Sequence, residues 1–181
     1  MRRLALVLAC ALLGGCPWGT MSSDELDAAY PYAKGRMFSR GVVAGVVKSL
    51  ENRVGGSFVS TGINISADSA VFIVRDPKHP ERIDTWQYIR GDFVAPTPVQ
   101  TSKEDNQDAY SFPITGLAFE RVRDMMQRAL AELKVEKAHV ESVSVNRQKD
   151  GPEFLVSVTG PRQRGRARFS PAGEFIAAEL E

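Results

Sequence analysis

The first half of the chain follows a helical hydrophobic pattern and then a strand pattern. Apolar side chains recur at helical spacing over 37–52, which predicts a helix with one apolar face. Alternating and β-branched residues then predict strands around 63–66, 70–75 and 83–89. A stretch rich in proline and charge, 76–81, predicts the loop between the last two strands.

The same order of patterns returns in the second half. Residues 116–134 carry a longer apolar stripe, and Thr115 is placed to cap the predicted helix. Alternation then predicts strands around 143–146, 154–158 and 166–169.

A short phrase also repeats: Gly-acid-Phe-β-branched-Ala stands at 91–95 and again at 173–177. The glycine is expected to start a tight turn, the acidic residue to face water and the Phe to enter the core. The other matches share nearly the same offset, 80 or 82 residues: Leu50 with Leu130, Ile63 with Val143, Ile65 with Val145, and Phe72 with Phe154. The alternative is coincidence between two generic α+β patterns.

The predicted fold class is therefore α+β, with two tandem modules, each one helix packed on an antiparallel meander of three or four strands. A unit of about 60–70 residues has a marginal core, so we expect the modules to pack on each other or on a partner. The expected organisation is a signal peptide (1–15), a lipidated tether (16–35), module 1 (36–95), a linker (96–114) and module 2 (115–181).

The N-terminus indicates export. Arg2 and Arg3 precede ten apolar residues, 4–13, a run shorter than the roughly 20 residues of a membrane span. The run ends in Leu13-Gly14-Gly15-Cys16, which resembles the bacterial lipobox. That resemblance implies signal peptidase II cleavage between Gly15 and Cys16 and acylation of Cys16. The alternative is an ordinary secretory signal with a chance cysteine.

The resemblance to bacterial lipoproteins also implies a location. Pro17 follows the cysteine, and the absence of Asp there favours the outer membrane facing the periplasm. A Gram-positive surface is the alternative. With Cys10 removed and Cys16 lipidated, the mature protein would hold no disulfide or free thiol.

Composition argues against nucleic acid as a partner. Removal of Arg2 and Arg3 leaves 21 basic against 22 acidic residues, a near-neutral balance. The chain has two histidines. His79 lies beside Asp76 and Glu81, which could form a metal site, but the prolines and charges there are ordinary for a hairpin loop. His139 has no metal-ligand spacing around it, so we expect no metal site. No catalytic motif or cofactor fingerprint stands in the sequence, so no catalytic residue and no cofactor are assigned and we expect a protein that is not an enzyme.

Two features are candidates for binding a partner. Arg162, Arg164, Arg166 and Arg168 alternate, so a continuous strand would align them towards phosphate head groups, lipopolysaccharide or an acidic protein. We expect Gly165 to bend the chain and leave only Arg166 and Arg168 aligned. The alternative is a solvated edge strand protected by charge.

The second feature is an apolar surface in module 1. We expect Phe72 and Val74 to lie on the helix-facing side of their strand. Val71 and Ile73 would then place apolar side chains on the opposite face. Trp86 and Tyr88 share one face of the next strand and are residue types favoured at interfaces. We expect module 2, or a separate protein or lipid, to cover this surface.

Each half is also similar to PepSY-type and β-lactamase-inhibitor-type α+β modules, through a helix that precedes a meander ending in Gly-acid-aromatic-aliphatic. The resemblance implies a binding or inhibitory module and brings no catalytic residues. The expected function is that of a lipid-anchored envelope lipoprotein that binds a protein partner without catalysis. A carrier that holds a lipid or small apolar ligand between helix and sheet is the alternative.

Overall fold

The computed structural model describes residues 35–102 and 106–181. In these residues ten antiparallel strands form one sheet, and two long helices pack on it, which confirms the α+β class. The signal peptide, the lipobox and most of the tether lie outside the described residues.

The elements are named in chain order. The strands are β1 Val59–Ile65, β2 Ser69–Arg75, β3 Ile83–Ile89, β4 Asp92–Phe93, β5 Thr97–Pro98, β6 Phe112–Pro113, β7 His139–Gln148, β8 Gly151–Thr159, β9 Arg164–Phe169 and β10 Phe175–Leu180. The helices are η1 Arg36–Phe38, α1 Val42–Val54, α2 Gln107–Tyr110, η2 Phe119–Arg121 and α3 Val122–Leu133, where η marks a 3₁₀ turn.

Both long helices begin later than the sequence predicts. Gly41 has φ 75°, so the chain turns there and α1 starts at Val42 instead of residue 37. Gly116 has φ 85°, and η2 intervenes before α3 begins at Val122. Thr115 therefore does not cap α3. Its hydroxyl instead lies 2.9 Å from that of Ser57.

The strands follow the order β10-β9-β8-β7-β1-β2-β3-β4. One face carries the core side chains, which alternate along every long strand, as in Phe72 and Val74 of β2 and Phe154 and Val156 of β8. Those side chains and the apolar stripes of α1 and α3 belong to one continuous hydrophobic cluster. Both helices thus pack on the same face, the inner face, and the other is called the outer face below.

The two predicted modules meet at their first strands. β1 and β7 pair antiparallel, with Ile63 opposite Val145, Asn64 opposite Ser144 and Ile65 opposite Val143. The second meander therefore extends the sheet sideways.

Part of the predicted linker is packed into this fold. β5 pairs with β3 and β6 pairs with β1. Phe112 is fully buried and Ile114 is 4% exposed, both within the common core. Burial of Phe112 and Ile114 explains why the end of this segment packs on the core, although its prolines and charges predict an exposed linker.

Candidate functional site

Val71 and Ile73 lie in the middle of the outer face. The register places Val71 opposite Asn64 and Gln87, and Ile73 opposite Gly62 and Thr85. Both side chains are half-buried, and neither α1 nor α3 reaches this face. The expectation that module 2 covers this face is wrong, because its strands continue the sheet in its own plane.

Trp86 and Tyr88 belong to the opposite, inner face. They pair with Phe72 and Ala70, whose side chains are in the core. Their rings lie 6.1 Å and 5.2 Å from that of Phe93, in edge-on geometry. The interpretation of these two aromatics and the Val71–Ile73 pair as one surface is therefore corrected: the sheet separates them.

Three of the four arginines share the outer face. Arg164, Arg166 and Arg168 pair with Thr159, Ser157 and Leu155 across β9 and β8, and Arg162 lies in the preceding loop.

Gly165 does not bend the strand, contrary to expectation. It is the second residue of β9, and a Cβ there would lie 2.7 Å from Leu133 Cδ2 and 2.9 Å from the Glu179 carbonyl oxygen. Close packing under α3 explains this glycine.

The arginine row divides into paired and unpaired members. Arg168 donates from Nε and Nη2 to the two carboxylate oxygens of Glu153 at 2.8 and 2.9 Å, and this hydrogen bonding raises the pKa of Arg168. Arg166 Nε lies 2.8 Å from Glu181 Oε1. Arg162 and Arg164, both exposed, form no ion pair with another described residue. Within this row of four, Arg162 and Arg164 are the members whose charge no described carboxylate offsets.

Two grooves line the margins of the helix layer. One of about 460 Å³ separates α3 from the β9–β10 turn, with Met125, Phe169 and Phe175 as its apolar lining. Arg121 closes one side through an ion pair with Glu174, which raises the pKa of Arg121. The second groove, about 580 Å³, lies between the α3–β7 and β8–β9 loops and includes Arg162. The sequence did not predict either groove, because each is lined by segments that are distant along the chain.

Metal-ligating side chains do not gather in the described part of the chain: no group of three or more lies together there. His79 Nδ1 approaches one carboxylate, that of Glu81, at 3.8 Å. Within residues 35–102 and 106–181, no helix has the length and apolar character that a membrane span requires.

Comparison with known proteins gives a likeness in fold. No protein-family model matches the sequence, and no curated protein matches it. Among solved structures, the chain is similar to a "putative lipoprotein (CD1622)" from Clostridium difficile 630, with a TM-score of 0.56 and 11% sequence identity. The similarity covers 76% of this chain and 91% of the clostridial one.

Proposed function

We propose that this protein is a lipid-anchored envelope lipoprotein that binds another protein without catalysing a reaction. The anchor is Cys16, acylated after cleavage behind Gly15, and the outer membrane facing the periplasm is the proposed location. The similarity in fold to a structure described as a lipoprotein supports this proposal alongside the lipobox.

The two halves are, in this proposal, copies of one α+β unit joined through their first strands. The β1–β7 register supports it, because Ile63 faces Val145 while Ile65 faces Val143. With an offset of 80, Ile63 corresponds to Val143 and Ile65 corresponds to Val145. Exchanging the two halves therefore turns one pair into the other, as a two-fold axis between Asn64 and Ser144 would require. Gly91 and Gly173, which open the repeated phrase, also share positive φ values of 95° and 78°.

The outer face of the sheet carries the proposed binding function. Val71, Ile73 and Leu155 are half-buried there and lie outside the layer formed by the two long helices. Serine, asparagine and threonine side chains of β7, β1 and β3 stand between and beside them. Ser144 and Asn64 separate Leu155 from Val71, so the face mixes apolar and polar side chains. Many protein interfaces are about as apolar as the rest of the surface and have this mixed composition.

Site-specific photo-crosslinking in intact cells tests this function. A benzophenone amino acid at Ile73 should give one discrete protein adduct, and the same group at Lys48, exposed on α1 in the helix layer, should not. Val71→Asp should abolish the adduct. Residue 71 is half-buried in a central strand, so the unfolding midpoint of the variant is measured beside it to show that the protein still folds. Equal labelling at both positions, or no adduct at Ile73, would contradict the proposal.

The groove beside α3 is the place for a carrier, the second candidate. Its volume is about 460 Å³, and Met125, Phe169 and Phe175 share its lining with the charged Arg121, Asp124, Arg128 and Glu174, so a ligand with both apolar and charged parts fits it better than a wholly apolar one. Native mass spectrometry of protein purified from its own envelope distinguishes the two functions. A bound small molecule that is lost in Phe175→Trp, a change at a partly buried residue of the groove, would favour the carrier.

A further inference from the structure

The chain enters the fold at one end of the sheet. The Met37 N–H donates to the Ala67 carbonyl at 2.9 Å, so the segment that follows the tether is fixed to the β1–β2 turn. Antiparallel pairing brings other turns to that end: Ser69 pairs with Ile89, and His139 pairs with Thr159. We call this the entry end. It comprises residues 35–36, 66–68, 90–91, 134–138, 160–164 and 181.

The entry end is the basic end of the molecule. Its six basic residues are all exposed: Arg36, Arg90, Lys134, Lys137, Arg162 and Arg164. Its acidic residues are three, Asp68, Glu136 and Glu181. At the opposite end, turns 76–82, 149–150 and 170–174 carry three basic residues, Lys78, Arg82 and Lys149, against four acidic ones, Asp76, Glu81, Asp150 and Glu174.

Backbone conformation points to the same end. Arg90, Lys134 and Lys137 have φ values of 54°, 51° and 50°, and they are the non-glycine residues with positive φ in the described part of the chain. This conformation suits glycine or asparagine and costs about 1 kcal/mol for a residue with an ordinary side chain. All three positions hold a long cation and all three lie at the entry end. Lys134 is the C-cap of α3, and Arg90 lies with Gly91 in the turn between β3 and β4, so the fold requires this conformation at both positions. The sequence fills them with cations instead of glycine or asparagine.

We propose that the entry end rests on the anionic lipid head groups of the membrane in which Cys16 is anchored. This inference rests on the proposed lipid anchor. Gly35 follows Cys16 by nineteen positions, and a chain of that length reaches at most about 65 Å. The anchor therefore keeps the entry end within that distance of the lipid surface, and at the surface each Lys or Arg gains about 1 kcal/mol, a factor of about five in partitioning. The strands then stand upright, and the outer face is presented sideways to a protein partner.

The native lysines supply a direct test. Because Cys16 is the one cysteine after residue 15, the chain from Cys16 onward can be coupled through that thiol to a maleimide lipid in vesicles. Lysine acetylation, read by mass spectrometry, is compared on phosphatidylcholine alone and with phosphatidylglycerol added. We expect acetylation of Lys134 and Lys137 to fall about fivefold with phosphatidylglycerol and to recover in 1 M salt. Lys78 and Lys149, at the far end, should stay unchanged.

Matched variants identify the cause of the protection. Arg90→Gln with Arg162→Gln removes two charges from the entry end but keeps both lysine probes. It should restore most of the acetylation of Lys134 and Lys137. Arg40→Gln with Arg82→Gln removes two exposed charges elsewhere and should change nothing.

Equal protection of all four lysines, or protection that ignores phosphatidylglycerol, would overturn the proposal. Protection in intact cells without a response to phosphatidylglycerol in vesicles would assign the entry end to an acidic protein and would also overturn it. The coupling is chemical, so these results do not depend on lipidation in the cell. Mass spectrometry of the native N-terminus tests the anchor separately.

Discussion

The guanidinium group of Arg53 lies over the ring of Phe93, with Cζ 5.3 Å from the ring centroid. The same group forms an ion pair with Asp92, the neighbouring residue of the repeated phrase. In the second half Arg128 lies over Phe175 at the same distance, and Arg121 pairs with Glu174. In each copy of the phrase, an arginine covers the Phe ring, and an arginine forms an ion pair with the acidic residue before that Phe. These contacts fix the phrase to the helix layer.

The two phenylalanines should differ in their contribution to stability. Phe93 is 7% exposed and belongs to the core, whereas Phe175 is only partly buried against it. We expect Phe93→Ala to lower the free energy of unfolding by about 3–4 kcal/mol, and Phe175→Ala to lower it by about half as much. Urea unfolding of the two variants measures the difference. Equal losses would show that burial does not distinguish the two positions.

Two glycines should respond to alanine with opposite signs. In Gly165→Ala the new Cβ would meet Leu133 and the Glu179 backbone below 3.0 Å, which should destabilise the fold by about 1–3 kcal/mol. In Gly45→Ala the Cβ meets nothing within 4 Å inside helix α1. That change should stabilise the protein by about 0.5–1 kcal/mol. The two thermal midpoints, measured together, check the packing under α3, and a harmless Gly165→Ala would contradict it.

Local patterns predicted the α+β class and most strands. Alternation placed Ile63, Phe72 and Val143 correctly in the core, because one face of the sheet is buried and the other is not. The turn glycines of the repeated phrase were also predicted, and both have positive φ. Helix starts were predicted less well, since Gly41 and Gly116 turn the chain within stretches that still show helical spacing.

The candidate surfaces depended on facts that no local pattern carries. Trp86 was assigned an interface role from its residue type, but cross-strand register places it opposite Phe72 on the inner face. The mode of module contact was also not encoded locally, because β1 and β7 are about 80 residues apart. Alternation along 162–168 would have placed Arg164 on the same face as Arg166 and Arg168. Gly165 was interpreted as a bend, but it serves close packing instead.

The Arg168–Glu153 pair should depend on guanidinium geometry as well as charge. Arg168→Lys keeps the positive charge but loses one of two parallel hydrogen bonds. We expect the thermal midpoint to fall by no more than about 2 °C, because the pair lies at the surface, and Arg168→Ala to lower it further. Arg164→Lys, on the same strand but without a described ionic partner, is the control and should leave the midpoint unchanged. Identical behaviour of the two lysine variants would argue against the bidentate pair.

The loop between β2 and β3 should make the stability of the fold depend on pH through one carboxylate, that of Asp76. The Lys78 backbone N–H donates to Asp76 Oδ1 at 2.7 Å, and this bond, assisted by the His79 N–H and by the charges of His79 and Arg82, lowers the pKa of Asp76 below 3.8. A carboxylate whose pKa is lower in the folded than in the unfolded state gives its full stabilisation when the pH is above the pKa of the unfolded state. That stabilisation is lost as the pH falls through the folded pKa.

Asp76→Asn keeps an oxygen acceptor but cannot ionise, so it isolates the charge. At pH 7 its thermal midpoint should lie below that of the parent protein, and the gap should close as the pH falls below 3.8. Asp76→Ala removes the acceptor as well, so its thermal midpoint should lie below that of Asp76→Asn. The difference between these two variants should not change with pH, because neither side chain ionises. Thermal unfolding followed by circular dichroism from pH 7 to pH 2 measures both gaps. A parent-to-Asn gap that stays constant over this range would show that the Asp76 charge does not hold the loop.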